Sequence, residues 1–257
     1  MRVPVVQHTT RRQRARRRRA LWTGGELLVT AGLVLLLLVV HQLWWTNREA
    51  KRGAERKVEA LEREWGDGAT DKGDDSGTSV PAATTQPRTG TRHSQQAATV
   101  RQPRPSWSQA YAILIIPRLG LRVPVAEGVS KQDVLNKGYV GHYRGTGQPG
   151  QAGNFALAGH RNTHGEPFRY INRLRAKDLV EVETKTATYI YAVDKTLPQT
   201  SAGDSGVVRP IPRSIVEPGR GYSEPGYYIT LTTCTPEYTS RYRLVVWGKL
   251  VSMRPRA

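Results

Sequence analysis

A mainly-β domain, carried behind a single membrane-spanning helix, is the architecture that this 257-residue chain predicts. Two observations predict it. Residues 27–45 (LLVTAGLVLLLLVVHQLWW) are almost continuously apolar, and as a helix they would span ~28 Å, close to the hydrocarbon thickness of a bilayer. From Trp107 onward the texture changes to short β-branched and aromatic runs divided by Gly and Pro, the pattern of a closed antiparallel barrel or a sandwich of ~150 residues.

Residues 1–24 form an Arg-rich leader, with eight arginines and no acid in the first twenty positions. Lys and Arg stay on the cytoplasmic side of a membrane segment, so the leader places the N-terminus inside and everything after Trp45 outside. Trp44 and Trp45 suit an interfacial aromatic belt. A cleaved signal peptide would have an apolar region of ~7–15 residues and a small-x-small site. Here the run is longer and ends in Gln-Leu-Trp-Trp, which favours an uncleaved anchor over residues 25–45.

Residues 46–106 are the expected extracytoplasmic spacer. Over 46–65 charges of both signs alternate with Ala, Val and Leu at near-helical spacing, which predicts an exposed helix continuing from the span. From Gly66 to about Ser106 the chain is rich in Gly, Ser, Thr, Gln and Pro. Such a composition cannot offset the entropy of ordering, so a flexible tether is expected.

Residues 107–257 are the expected folded domain. Val180–Glu183 and Tyr189–Val193 alternate with the two-residue period of half-buried strands. Helix is expected only in short pieces, at 131–136 and 168–174. A long Pro- and Gly-rich connection spans 195–226, and long loops in compact domains are usually functional.

The formal net charge is +18, which by itself suggests nucleic acid or a membrane surface as partner. Its distribution argues against nucleic acid. The leader carries +8 and the folded domain +9, so nearly half of the excess lies in a twenty-residue segment on the cytoplasmic side. A basic module that binds anionic wall polymers is the non-enzymatic alternative that the domain's charge permits.

Cys234 is the single cysteine. It cannot form an internal disulfide, and a free thiol outside the cytoplasm is a liability unless it does chemistry. It closes the apolar run Tyr227–Thr233 ahead of a Thr-Pro turn. A nucleophilic thiol needs a neighbouring base or cation. His8, His41 and His93 lie in the leader, anchor and spacer. Of the other three, His160 closes the apolar run Phe155-Ala-Leu-Ala-Gly, whereas His142 and His164 sit in polar, Gly-containing segments that suit solvated surface histidines. Arg241 and Arg243 share a strand face by alternation, so spacing does not choose between them as the cation.

Together, Phe155-Ala-Leu-Ala-Gly-His160-Arg, Thr230-Leu-Thr-Thr-Cys234-Thr-Pro and Arg243-Leu-Val-Val resemble, in order and spacing, the motifs of the sortases, membrane-anchored cysteine transpeptidases of Gram-positive bacteria. With Gly141-His-Tyr-Arg-Gly-Thr146, the likeness is greatest to class E of actinobacteria. The resemblance covers about residues 107–251. It implies a closed eight-stranded β-barrel with short helices, and His160, Cys234 and Arg243 as catalytic set, with Tyr143 and Thr232 as substrate contacts. It implies cleavage of the Thr–Gly bond in a Leu-Ala-x-Thr-Gly or Leu-Pro-x-Thr-Gly signal of secreted proteins, and transfer of the Thr to an amine of a lipid II-type peptidoglycan precursor. No cofactor or metal is implied. An L,D-transpeptidase would carry Ser-His-Gly before its cysteine, and a papain-like peptidase would place its cysteine before its histidine; neither holds here.

Overall fold

The computed structural model describes residues 9–70 and 105–256. They fall into two compact units, Met1–Arg48 and Glu49–Ala257. The secondary structure begins with helix α1, Thr9–Thr70. Within the first unit the apolar side chains of residues 27–45 stand exposed, as they would for contact with lipid, and the helix is long and apolar enough to cross a bilayer. The expected flexible tether overlaps the end of this helix; its remainder, 71–104, lies outside the described residues.

The second unit is a closed barrel of eight strands: β1 (Ala110–Ile116), β2 (Leu121–Glu127), β3 (Val140–His142), β4 (Gly153–Ala158), β5 (Leu179–Thr184), β6 (Ala187–Ser201), β7 (Tyr227–Thr235) and β8 (Tyr242–Pro255). Around the barrel the order is β1-β2-β3-β4-β7-β8-β6-β5. This decides between the barrel and the sandwich, and it corrects the expectation of a purely antiparallel sheet. The pairs β2–β3 and β4–β7 are parallel. Parallel neighbours need a long crossover, and between β4 and β7 it contains the β5–β6 hairpin and the 202–226 loop. The long connection expected at 195–226 is shorter than it looked, because β6 continues through Ser201 and pairs with β8 to its end.

Strand alternation sorts the apolar residues into layers. Phe155, Leu157, Ile229, Leu231, Leu244 and Val246 point into the barrel and join one core. Val245 and Trp247, one residue out of step on β8, point outward and pack with Val207, Tyr222 and Tyr228 beneath the 202–226 loop. The two expected helical stretches appear as single 3₁₀ turns, Leu135–Lys137 and Ile171–Arg173. Segments of six or seven residues cannot repay the nucleation of an α-helix.

A second correction concerns residues 46–65, expected as an exposed helix. Ala50, Ala54, Val58, Leu61 and Trp65 are buried. Spaced by three and four residues, they form one apolar stripe. Val58, Leu61 and Trp65 pack on Ala110, Ile113, Ala126 and Val134 of the barrel's outer surface. Glu62 adds an ion pair to Arg122, and Arg256 stands 5.2 Å over the Trp65 ring. The seam explains why β1 is apolar at consecutive positions: Leu114 faces the core while Ile113 faces the helix, and both are fully buried.

Candidate active site

Three neighbouring strands end at the same rim. The parallel pair β4–β7 runs in register to Ala158↔Thr232, so His160 and Cys234 each lie two residues beyond matched positions. The turn between is fastened twice: the Gly159 N–H donates to the Thr232 carbonyl at 3.1 Å, and the Thr233 hydroxyl donates to the Gly159 carbonyl at 2.8 Å. On the other side of β7, the antiparallel register puts Arg243 directly opposite Cys234. Directly paired residues present their side chains on one face. Arg241 falls before the first residue of β8 and lies over the Tyr242 ring. Cross-strand register thus separates two arginines that alternation alone left equivalent.

Cys234, His160 and Arg243 are each half-buried. Thr230 and Thr232 precede Cys234 on the outward face of β7, a polar stripe opposite the apolar inward one of Ile229 and Leu231. Beside this stripe lies a cavity of about 370 Å³, lined by Tyr143, Thr232 and Arg243 on the barrel side and by residues 201–208 on the other. Its outer wall is held by Asp204, whose buried carboxylate accepts from Thr200 Oγ1 at 2.6 Å, from the Ser214 hydroxyl and from the Ile215 N–H at 3.0 Å. Thr232 Oγ1 donates to the Leu157 carbonyl at 3.0 Å, which leaves the Tyr143 hydroxyl as donor in the 3.2 Å contact between Tyr143 and Thr232. Both expected substrate-contact positions therefore line the cavity that also reaches Arg243.

His160 Nε2 donates to Asn136 Oδ1 at 2.9 Å, so its other ring nitrogen is the basic one. Burial, together with nearby His164 and Lys131, lowers the His160 pKa from 6.5 to about 4. The imidazole is accordingly neutral at pH 7 and able to accept a proton.

Two histidines depart from their expected settings. His142 is fully buried, not solvated. Nδ1 contacts Glu127 Oε2 at 2.7 Å and the Tyr111 hydroxyl at 2.9 Å, while Nε2 meets Thr146 Oγ1 at 2.9 Å. Its place at the end of three-residue β3, between β2 and β4, turns it inward. His164 is partly buried and stacks on His160, ring centroids 5.2 Å apart. Arg161 is a residue that the sequence reading passed over. Its guanidinium is buried and donates to the Cys234 carbonyl at 3.2 Å and to Thr235 Oγ1 at 2.8 Å, so it braces the backbone of the thiol-bearing residue. Its adjacency to His160 was the available signal. Among the described residues no cluster of His, Cys, Asp or Glu could hold a metal ion.

Residues 114–251, more than half of the chain, match the Sortase domain. The chain belongs to the sortase family. Over 222 residues it is 41% identical to sortase SrtE1 of Streptomyces coelicolor, a match that covers 84% of this chain and 53% of that relative. It is thus matched along only about half of SrtE1. It is 37% identical over 216 residues to sortase SrtE2 of the same organism, covering 82% of this chain and 74% of SrtE2. Among solved structures, Streptomyces coelicolor sortase E1 with a tripeptide in the active site is 50% identical, with a TM-score of 0.55, over 60% of this chain and 94% of that one. Sortase E of Streptomyces avermitilis is 39% identical, with a TM-score of 0.51, over 58% and 93%. Sortases are cysteine transpeptidases, and this sortase domain carries its single cysteine at the rim described above.

Proposed function

We propose that the chain is a membrane-anchored transpeptidase. Residues 1–24 lie in the cytoplasm, 25–45 cross the membrane, and the catalytic domain, 107–257, works outside. It cleaves the Thr–Gly bond of a C-terminal Leu-Ala-x-Thr-Gly or Leu-Pro-x-Thr-Gly-like signal and joins the Thr to an amine of a lipid II-type peptidoglycan precursor, anchoring secreted proteins to the wall. The observation that carries this reading is the shared register that sets Arg243 opposite Cys234 and puts His160, two residues past β4, at the same rim. The tripeptide bound in the active site of the sortase E1 relative supports a peptide as the substrate class.

Neutral His160 takes the Cys234 proton as Sγ bonds to the Thr carbonyl carbon, and the carbonyl electrons move to oxygen. The oxyanion that forms faces the Arg243 guanidinium, which is a stronger partner for the oxyanion than for the ground-state carbonyl. Collapse breaks the C–N bond, and the His160 imidazolium protonates the departing Gly amine. A thioester remains on Cys234. The incoming amine then gives its proton to His160 as its nitrogen attacks. The C–S bond breaks, and His160 returns the proton to sulfur. Tyr143 and Thr232 line the cavity next to Cys234 and contact the residues ahead of the scissile bond.

Offered a Leu-Ala-x-Thr-Gly peptide and no amine, the protein should show, by intact-mass spectrometry, an acyl adduct on Cys234. The adduct should be missing in Cys234→Ala and should decay on adding oligoglycine or a diaminopimelate-type amine. Cleavage that survives Cys234→Ala would sink the mechanism.

A further inference from the structure

The helical stretch 50–65 does more than cover the barrel. Its first turn reaches the two loops that flank His160. Gly138 ends the 3₁₀ turn Leu135–Lys137, which holds Asn136, and a Cβ built on Gly138 would stand 2.6 Å from the Ala50 carbonyl oxygen. Gly165 follows His164, and a Cβ there would stand 3.4 Å from the Lys51 nitrogen. Asn136 accepts the His160 hydrogen bond and His164 stacks on the His160 ring. Gly138 and Gly165 have φ of +81° and +84°, a region where side chains are strained, so glycine suits both positions by conformation and by space. The helix therefore bears, through backbone-to-backbone contact, on both neighbours of the candidate general base.

We infer that residues 50–65 form a positioning element of the active site: seated by Val58, Leu61 and Trp65, the helix presses Ala50 and Lys51 against the Asn136 and His164 loops and so sets the orientation of His160. None of its residues lines the cavity beside Cys234, so it acts on the proton-transfer group and leaves peptide binding alone. The burial that holds His160 neutral has the same source, since the loops that enclose the ring are held down by the helix. The groups with charge to offer the ring are His164 and Lys131. The inference rests on the proposed role of His160, but it has a readout that needs no catalysis.

The test uses the full chain in detergent micelles, with two variants. Leu61→Asp places a charge in the apolar seam and should release the helix. Ala50→Leu leaves the seam intact and crowds the Gly138 and Gly165 contacts. In each, kcat for a Leu-Ala-x-Thr-Gly peptide with an oligoglycine acceptor should fall about ten- to a hundredfold, as expected when a reacting group is misplaced by ~1 Å, with KM within about twofold of the parent. By NMR of labelled histidine, the His160 titration midpoint should climb from about 4 toward 6.5. Should Leu61→Asp fail to fold, Ala50→Leu decides alone. Parent-like kcat and an unmoved His160 midpoint in a folded variant would overturn the inference. A moved midpoint with no peptide turnover in the parent would keep the positioning role and overturn the catalytic one.

Discussion

The two outer flanks of the barrel differ in what covers them. At β1–β2 the outward Ala110, Ile113 and Ala126 are apolar and sealed by residues 50–65, so Ile113 is as deeply buried as the inward Leu114. Toward the rim the outward residues of β7 are Thr230, Thr232 and Cys234, and the covering segment 201–208 leaves a cavity of about 370 Å³ beside Thr232. One sheet is built on both flanks, with the same strand period. Where the outward face is apolar the flank is closed and structural. Where it is polar a cavity remains, and its wall is held by the Asp204 hydrogen bonds together with the packing of Val207 on Val245 and Trp247. Cys234 lies on the second flank.

Substitutions on the two flanks should therefore break different things. The largest effect should come from the open side: Arg243→Gln should cost ~10²–10³-fold in kcat, the scale for losing one oxyanion donor, with the melting temperature within a few degrees of the parent. Steady-state kinetics checks this, and an equal loss in Arg241→Gln would undo the cross-strand assignment. On the sealed side, Ile113→Ala should cost about 2–5 kcal/mol of stability, since it removes transfer energy and leaves a void that two packed layers cannot close. Urea unfolding should show the loss. A cost near zero would mean that the helix does not seal β1.

The pH profile sharpens the same contrast. The proposed role of His160 as a base needs its neutral form, and burial holds its midpoint at about 4. The acid limb of kcat/KM should fall near pH 4, with activity lost as pH drops through that value. At pH 5 the protein should keep most of its activity, whereas a histidine at its ordinary pKa would be only about 3% neutral. An acid limb near 6.5 would show that His160 is solvated and that the two loops do not enclose it.

How much of this was legible beforehand follows from the range of each signal. Cys234 at a strand end and the apolar span of 27–45 are local features, and both were plain in the sequence. The parallel β4–β7 pairing joins segments about seventy residues apart, and two-residue alternation carries no information on which strand lies next to which. Arg243 could be preferred over Arg241 only once register was known, or by resemblance. The helix stripe Ala50-Ala54-Val58-Leu61-Trp65 was visible, but the charges between its members made the whole segment look exposed; the consecutive apolar residues of β1 were the matching sign that something covers that strand. The setting of His142 was not legible because glycines and polar residues flank it, while its burial depends on Glu127 and Tyr111 arriving from other strands.

The smallest effect tests the finest part of the open flank. Tyr143 and Thr232 meet at 3.2 Å on the cavity wall, with Thr232 committed to the Leu157 carbonyl. Tyr143→Phe deletes one neutral hydrogen bond and keeps the ring, a change worth about 0.5–1.5 kcal/mol, or roughly two- to tenfold by the usual conversion at 1.4 kcal/mol per decade. If Tyr143 positions the peptide, that loss should fall in KM for Leu-Ala-x-Thr-Gly, with kcat and the pH 4 limb unchanged, and it should differ for Leu-Pro-x-Thr-Gly, because proline brings a ring and no N–H to the same wall. Equal changes for the two peptides would make Tyr143 a packing residue of the rim. A fall in kcat instead would tie it to the proton path through His160, some way along the rim from where its hydroxyl points.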